Sequence, residues 1–252
     1  MKKYELTNET KFVCGKTLHR IRALIDFADI KAGELGGWIE KEETLAQEGN
    51  AWVYGNAQVS SSAWVFGNAR VSGDAQVSGR ARVYDNARVS GEAWVSGKAQ
   101  VFDSARVFGN AKVFNNAWVY NNARVFDNAQ VSGNAEVFGC AWVSDDARVS
   151  GDAWVSGNAR VLGDAWVFGD ARVFGNAQVS GNAYVGGNAR VSGEAQVSGE
   201  ARVCDNAWVY GDAKVSGKAR VSDNAEVYGH ARVSGDVRVS GYVCGDSRAS
   251  KP

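Results

Sequence analysis

The sequence predicts an all-β protein: a triangular β-solenoid with three hexads, about 18 residues, per coil, closed at its N-terminal end by a β cap. Three observations carry this. A six-residue phrase, Ala-x-Val-x followed by two turn formers, begins at Ala51 and recurs at 31 successive alanines to Ala231 without insertion or deletion. Self-similarity at a fixed period marks a repeat architecture. Within the phrase, Ala and Val stand two apart, so both face one side of an extended strand and the residue between them faces the other. A period of six with two inward residues fits no helical face. Finally, Gly fills the fifth position in 23 of 32 hexads, counting the one opened by Val237, and Asn or Asp fills the sixth in 21. These residue types tolerate left-handed backbone angles, so each hexad is a short strand and a sharp corner.

The elements follow in order. Residues 1–44 do not repeat. In "TLHRIRALIDF", Ile21, Ala23, Ile25 and Phe27 alternate, which predicts a strand covering an apolar surface. Gly36-Gly37 reads as a turn leading through Trp38 and Ile39 into the coils. A solenoid needs such a cover, because bare strand edges invite end-to-end polymerisation. Residues 45–242 are the solenoid. Coils stacked at about 4.8 Å give about 10–11 coils and a rod roughly 50 Å long. No hexad buries its Ala and Val alone, so stability must come from many coils in register. Residues 243–252, "VCGDSRASKP", form a tail that breaks the pattern and frays or folds over the last coil.

The repeated phrase resembles the hexapeptide repeat of single-stranded left-handed parallel β-helix proteins: an aliphatic residue, a small residue two before it, and left-handed corners. The resemblance covers about three quarters of the chain, and the left hand comes from it alone, since the crossover rule favours a right-handed path. Leu18, Arg20, Ile21, Ala23, Leu24, Asp26 and Phe27, then Gly36, Gly37, Trp38, Ile39 and Glu40, are also similar to the opening of YdcK-like proteins of bacteria and phages. Those are labelled transferases without a demonstrated reaction, so this resemblance transfers little function.

Composition bounds the function. The 28 basic and 28 acidic residues cancel, which argues against indiscriminate capture of nucleic acid or anionic membrane. No apolar run is long enough to span a membrane, and "MKKYELTNET" has no apolar stretch of a secretory signal. Cys14, Cys140, Cys204 and Cys244 form no C-x-x-C pair; the pattern suits free thiols in a reducing cytoplasm.

With three hexads per coil, every third hexad shares a face. On the face of Trp64, the residues after valine are Phe66, Tyr84, Phe102, Tyr120, Phe138, Ser156, Phe174, Ser192, Tyr210 and Tyr228. Those before valine include Trp118, Trp154 and Trp208. So long an aromatic stack exceeds ordinary surface patches and suggests an interface, for self-association or for a protein partner; the bland reading is that stacked rings stabilise their own ladder. The face of Trp52 is basic, with Arg70, Arg88, Arg106 and Arg124 on successive coils. These are candidates for an anionic ligand. The bland reading there is neutralisation by corner acids such as Asp74 and Glu92. The third face, through Gln58, Gln76, Trp94, Lys112, Gln130 and Arg148, is mixed.

Many hexapeptide β-helix proteins are acyltransferases using acetyl-CoA or acyl carrier protein. They normally carry a catalytic histidine, a loop leaving the coils and a trimer. This chain has two histidines, His19 in the cap and His230 at a corner, and no loop interrupts the block. His230 is the weak catalytic candidate; no metal-ligand cluster is legible. The expectation is a non-catalytic scaffold or binding protein with no cofactor. The alternatives are an acyl-CoA-dependent acyltransferase and a protein that sequesters an anionic ligand or host factor on its arginine face.

Overall fold

The corners explain the geometry. In this computed structural model, which describes residues 1–250, every first corner position from Gly55 to Gly235 has positive φ, including Ser61, Asp85, Asn115 and Asp145 where glycine is absent. The residue after valine accepts a hydrogen bond from the next hexad's alanine, as in Ala159 N to Ser156 O at 3.2 Å, which closes a tight turn. Between corners, only two residues per hexad are strand, such as Trp154–Val155.

Within each unit, a hexad bonds to the third hexad after it. Asp152 N, Trp154 N and Ser156 N donate to Gly169 O, Ala171 O and Val173 O, all at 2.9 Å. Met1–Asn122 form one compact unit and the chain from Ala123 another. In the first, three parallel ladders run through Gln58, Gln76, Trp94 and Lys112, through Trp52, Arg70, Arg88 and Arg106, and through Trp64, Arg82, Gln100 and Trp118. In the second, the ladders begin at Gln130, Arg124 and Glu136 and end at Arg238, Arg248 and Tyr242. The repeat alanines and valines from Ala51 to Val233 are at most 1% exposed. Each unit is therefore a β-solenoid with three hexads per turn, its core a column of Ala and Val.

The first unit also holds the cap. β1 (Tyr4–Val13) and β2 (Lys16–Ala23) are an antiparallel hairpin turning at Cys14–Gly15, both with positive φ. β3 (Leu35–Ile39) pairs antiparallel with β2 and parallel with Gln58–Val59, so the hairpin extends one solenoid sheet. Gly36 and Gly37 lie inside β3 and are not the turn that the sequence suggests. A Cβ on Gly36 would meet Ile21 Cγ1 at 2.6 Å and Trp52 Cζ2 at 2.7 Å, and one on Gly37 would meet Val53 Cγ1 at 2.6 Å. Close packing, not turning, requires these glycines. β2 stops at Ala23, short of Ile25 and Phe27; the Phe27 ring instead packs edge-on against Trp52 at 5.3 Å. Trp52 does not face solvent as its place in the repeat implies: it is fully buried, with Tyr4 on another side at 6.0 Å.

Near the cap, polar groups from the N-terminus meet the backbone of the segment leading into the coils. Lys3, 2% exposed, donates its ammonium to Ala51 O at 3.0 Å and Gly49 O at 3.3 Å. Tyr4 OH donates to Leu45 O at 2.7 Å, and Gln47 Oε1 accepts from the Lys3 amide at 2.8 Å. Leu45 bridges to Val65 and β3 to Gln58, so parallel pairing begins before Ala51. At the other end, Arg248–Ser250 pairs parallel with Arg232–Ser234.

Two expectations follow. A Cβ on Gly151 (φ +73°) would stand 2.8 Å from Gly169 N. Gly151→Ala should therefore destabilise by about 1–2 kcal/mol, from left-handed strain and this contact. Gly151→Asp should cost less in the same thermal melts, because Asp145 at the equivalent corner accepts Gly163 N at 2.8 Å.

The second concerns pH. Burial pushes Lys3 down from 10.5 to about 8. Below about 8 it is charged in both states and the cost of burying it is fully present. Between about 8 and 10.5 the unfolded chain binds the extra proton, so stability rises with pH. Tyr4 acts oppositely: burial, then the Glu42 and Glu43 charges, raise it, so stability falls once the unfolded phenol ionises above about 10. The melting midpoint should climb from about pH 8 toward 10, and Lys3→Met should abolish the climb.

Candidate functional site

The ring-bearing face is the most developed surface feature, and the coil repeat builds it. In the first unit, Trp64 stacks on Phe66 at 4.0 Å. Phe66, Tyr84, Phe102 and Tyr120 then follow at 4.8, 4.9 and 4.9 Å, with planes within 4° of parallel. These separations match the strand spacing, so register alone brings the rings face to face. Stacking leaves the four rings half-buried, with edges rather than faces toward solvent. The exposed apolar surface there belongs to tryptophans before valine: Trp64 at 41% and Trp118 at 40%.

In the second unit, serines at Ser156 and Ser192 interrupt the ring column. Phe138 meets Trp154 edge-on at 6.2 Å, and Trp154, 40% exposed, carries the Arg172 guanidinium at 4.7 Å. Trp208 lies against Tyr210 at 4.5 Å, and Tyr210 stacks on Tyr228 at 5.0 Å; Phe174 is half-buried.

A diagonal rule runs across these columns: a residue after valine meets the residue before valine on the adjacent strand of the next turn. Phe102 meets Trp118 edge-on, Tyr84 OH donates to Gln100 Oε1 at 3.2 Å, and Tyr210 OH donates to Glu226 Oε2 at 3.1 Å. Where serine replaces a ring, indole N–H fills the role: Trp208 Nε1 donates to Ser192 at 3.2 Å, and on another face Trp166 Nε1 donates to Ser150 at 3.0 Å. Burial first, then the Asp85 and Asp103 charges, raises the Tyr84 phenol above its ordinary pKa; burial, then the bond to Glu226, does the same for Tyr210.

The arginine face is arranged differently from the sequence expectation. Arg70, Arg88 and Arg106 stand in register on adjacent strands. The counter-ion for Arg70 is not Asp74 or Glu92 but Asp29 of the cap, held by two bonds of 3.1 and 2.8 Å. Asp29 is far in sequence and reaches Arg70 only because the cap folds over Trp52. Arg88 and Arg106 have no ion pair among the described residues. Tyr54, Arg70, Ser72, Arg88 and Ser90 line an open groove of about 380 Å³. In the second unit, Arg124 and Arg160 lie 5.2 and 5.0 Å from the Trp142 ring, one on each neighbouring strand.

The sequence reading missed a further cationic column. Arg202, Arg220 and Arg238 are in register on the third face, and Lys218 joins the first two in a groove of about 360 Å³ with Tyr184, Glu200 and Asp236. Its signal lay in following every third hexad beyond Arg148.

His230 is 70% exposed at its corner, with Nδ1 3.2 Å from Asp212 Oδ2 of the corner one turn before. His19 Nδ1 lies 3.4 Å from Thr7 O within the cap. The two histidines are thus apart in sequence and in surroundings. Among the described residues no three His, Cys, Asp or Glu side chains cluster to hold a metal, the four cysteines are unbridged, and no helix is long and apolar enough to cross a membrane.

Comparison with known proteins agrees with this architecture. The YdcK β-solenoid repeat matches residues 63–79, 81–97, 117–133, 141–157, 153–169 and 195–211. A stretch of 62 residues is 42% identical to a protein of Escherichia coli (strain K12) named "Uncharacterized acetyltransferase YdcK". The match covers 21% of this chain and 19% of that relative, so it spans about a fifth of the relative's length. The chain is a β-solenoid protein, and stretches of its repeat are similar to the YdcK β-solenoid repeat.

Proposed function

We propose that the protein is a binding scaffold that works through its ring-bearing face, first of all by self-association. The observation that carries this is the first unit's column of Phe66, Tyr84, Phe102 and Tyr120, stacked in register and flanked by Trp64 and Trp118, each about 40% exposed. Ring edges and indole faces in a straight row are a rigid apolar surface that costs little side-chain entropy to bury. A second copy offers the same row at the same pitch, so rings and gaps match without adjustment. The reading includes no cofactor.

Light scattering tests it. The wild type should be an oligomer, and a Trp64→Ser/Trp118→Ser variant, which leaves the stacked column in place, should be a folded monomer. A monomeric wild type would overturn self-association through this face. Losing the column itself, as in Phe66→Ser/Tyr84→Ser/Phe102→Ser, should lower the melting midpoint, because each stacked pair contributes about 0.5–1.5 kcal/mol.

The relative's printed name favours a second reading, an acetyltransferase using acetyl-CoA. Its candidate base is His230, whose Asp212 neighbour would orient the ring. Under the scaffold reading, release of free CoA from acetyl-CoA in the presence of amine and hydroxyl acceptors stays at background, and His230→Ala changes nothing. Turnover lost in His230→Ala would instead establish the second reading.

A further inference from the structure

We propose that the groove beneath the tip of the cap hairpin is a binding site for a neutral saccharide ring. It lies in the first unit, apart from the ring-bearing face. The hairpin contributes Val13, Cys14, Lys16 and Leu18; facing them, the solenoid contributes Gln58, Ser60, Ser61, Gln76, Val77, Ser78 and Trp94. The space is about 260 Å³. That is below the usual range for sites that enclose drug-sized ligands and cofactors, and suits one small ring.

Three features point to a ligand. The first is a broken pattern. Trp94 and Ser78 stand in the same diagonal relation as Trp166 with Ser150 and Trp208 with Ser192, which are hydrogen-bonded. Trp94 and Ser78 make no such bond among the described residues, and Trp94 is 42% exposed. Trp94 lines the groove with no ring stacked on its indole and no bond to its N–H among the described residues. The second is the polar lining: the Gln58 and Gln76 amides and the Ser60 and Ser78 hydroxyls have no protein partner among the described residues. Amides and hydroxyls both donate and accept, as sugar hydroxyls do, while an indole face suits the C–H face of a pyranose. The charged side chain of the lining, Lys16, is paired with Glu40 at 2.9 Å, so the groove offers no unpaired charge and suits a neutral ligand.

The third is how rigidly the groove is held. Lys16 Nζ donates to Glu40 Oε2 at 2.9 Å and to Ser61 Oγ at 2.6 Å, and the Ser61 amide also donates to Glu40. Burial raises the Glu40 carboxyl, but the bonds from Lys16 and the Ser61 amide outweigh it and hold it below its ordinary pKa. Ser61 holds the corner φ that the repeat requires, +65°, so the clamp is anchored on a regular corner of the coil. The clamp ties the hairpin tip to the coil and fixes the groove's width.

Ligand-observed NMR with a panel of neutral mono- and disaccharides tests this on the full chain. At least one sugar should bind the wild type. Trp94→Ala and Gln76→Ala, at exposed positions, should each weaken it about tenfold or more, a loss of about 1.4 kcal/mol. Trp166→Ala, which removes the same side chain where its serine bond is made, should bind like the wild type. If the folded wild type binds no sugar of the panel, or if Trp94→Ala and Gln76→Ala leave binding unchanged, the proposal is wrong. The oligomeric state does not enter these readouts, so this test is independent of the scaffold reading.

Discussion

Within each unit, the backbone hydrogen bonding of a hexad to the third hexad after it is the constraint on which the rest depends. Ordering short strands costs more conformational entropy than three alanines and three valines per turn recover. Only repetition of the ladder turn after turn makes the arrangement favourable. That ladder allows no slack: one inserted residue would rotate every later alanine out of the core. The unbroken spacing from Ala51 to Ala231 is the imprint of this demand.

Register then dictates what the surface does. Because like positions sit one strand spacing apart, whatever a column contains is stacked. Rings become a ladder of parallel planes, asparagines a chain of amides such as Asn188 to Asn206 at 3.1 Å, and arginines a row of like charge. Rings and amides gain from stacking, whereas a row of arginines needs outside help. The protein supplies it in two ways, with Asp29 at Arg70 and with an intervening tryptophan between Arg124 and Arg160. The same stacking turns the aromatic column from a set of exposed rings into a half-buried one. The tryptophans beside it then become the accessible apolar surface.

The N-terminal segment resolves a different problem, the unpaired backbone at the start of the coils. A hairpin continues one sheet, Lys3 and Tyr4 donate to the Ala51 and Leu45 carbonyls, which have no strand before them, and Gln47 in turn accepts the Lys3 amide. Burying an ammonium for this purpose is costly, and the lowered Lys3 pKa reports that cost.

Local chemistry was enough to determine the coil length, the inward Ala and Val, the left-handed corners and the sorting of outward residues into three faces. Each follows from spacing and from backbone preferences that neighbours one turn away only reinforce. The cap was less legible. Gly36-Gly37 looks like a turn because glycine permits both a turn and a close approach, and only the packing of Ile21 and Trp52 decides between them. Trp52 looks outward by its place in the repeat and is buried because the cap lies over it. Asp29 and Arg70, or Lys16, Glu40 and Ser61, have no common spacing to reveal them; they meet only when the non-repeating segment folds back. Periodic interactions are written in the sequence because their geometry is the period itself. The contacts between cap and coil belong to the tertiary structure, because no period relates the residues that make them.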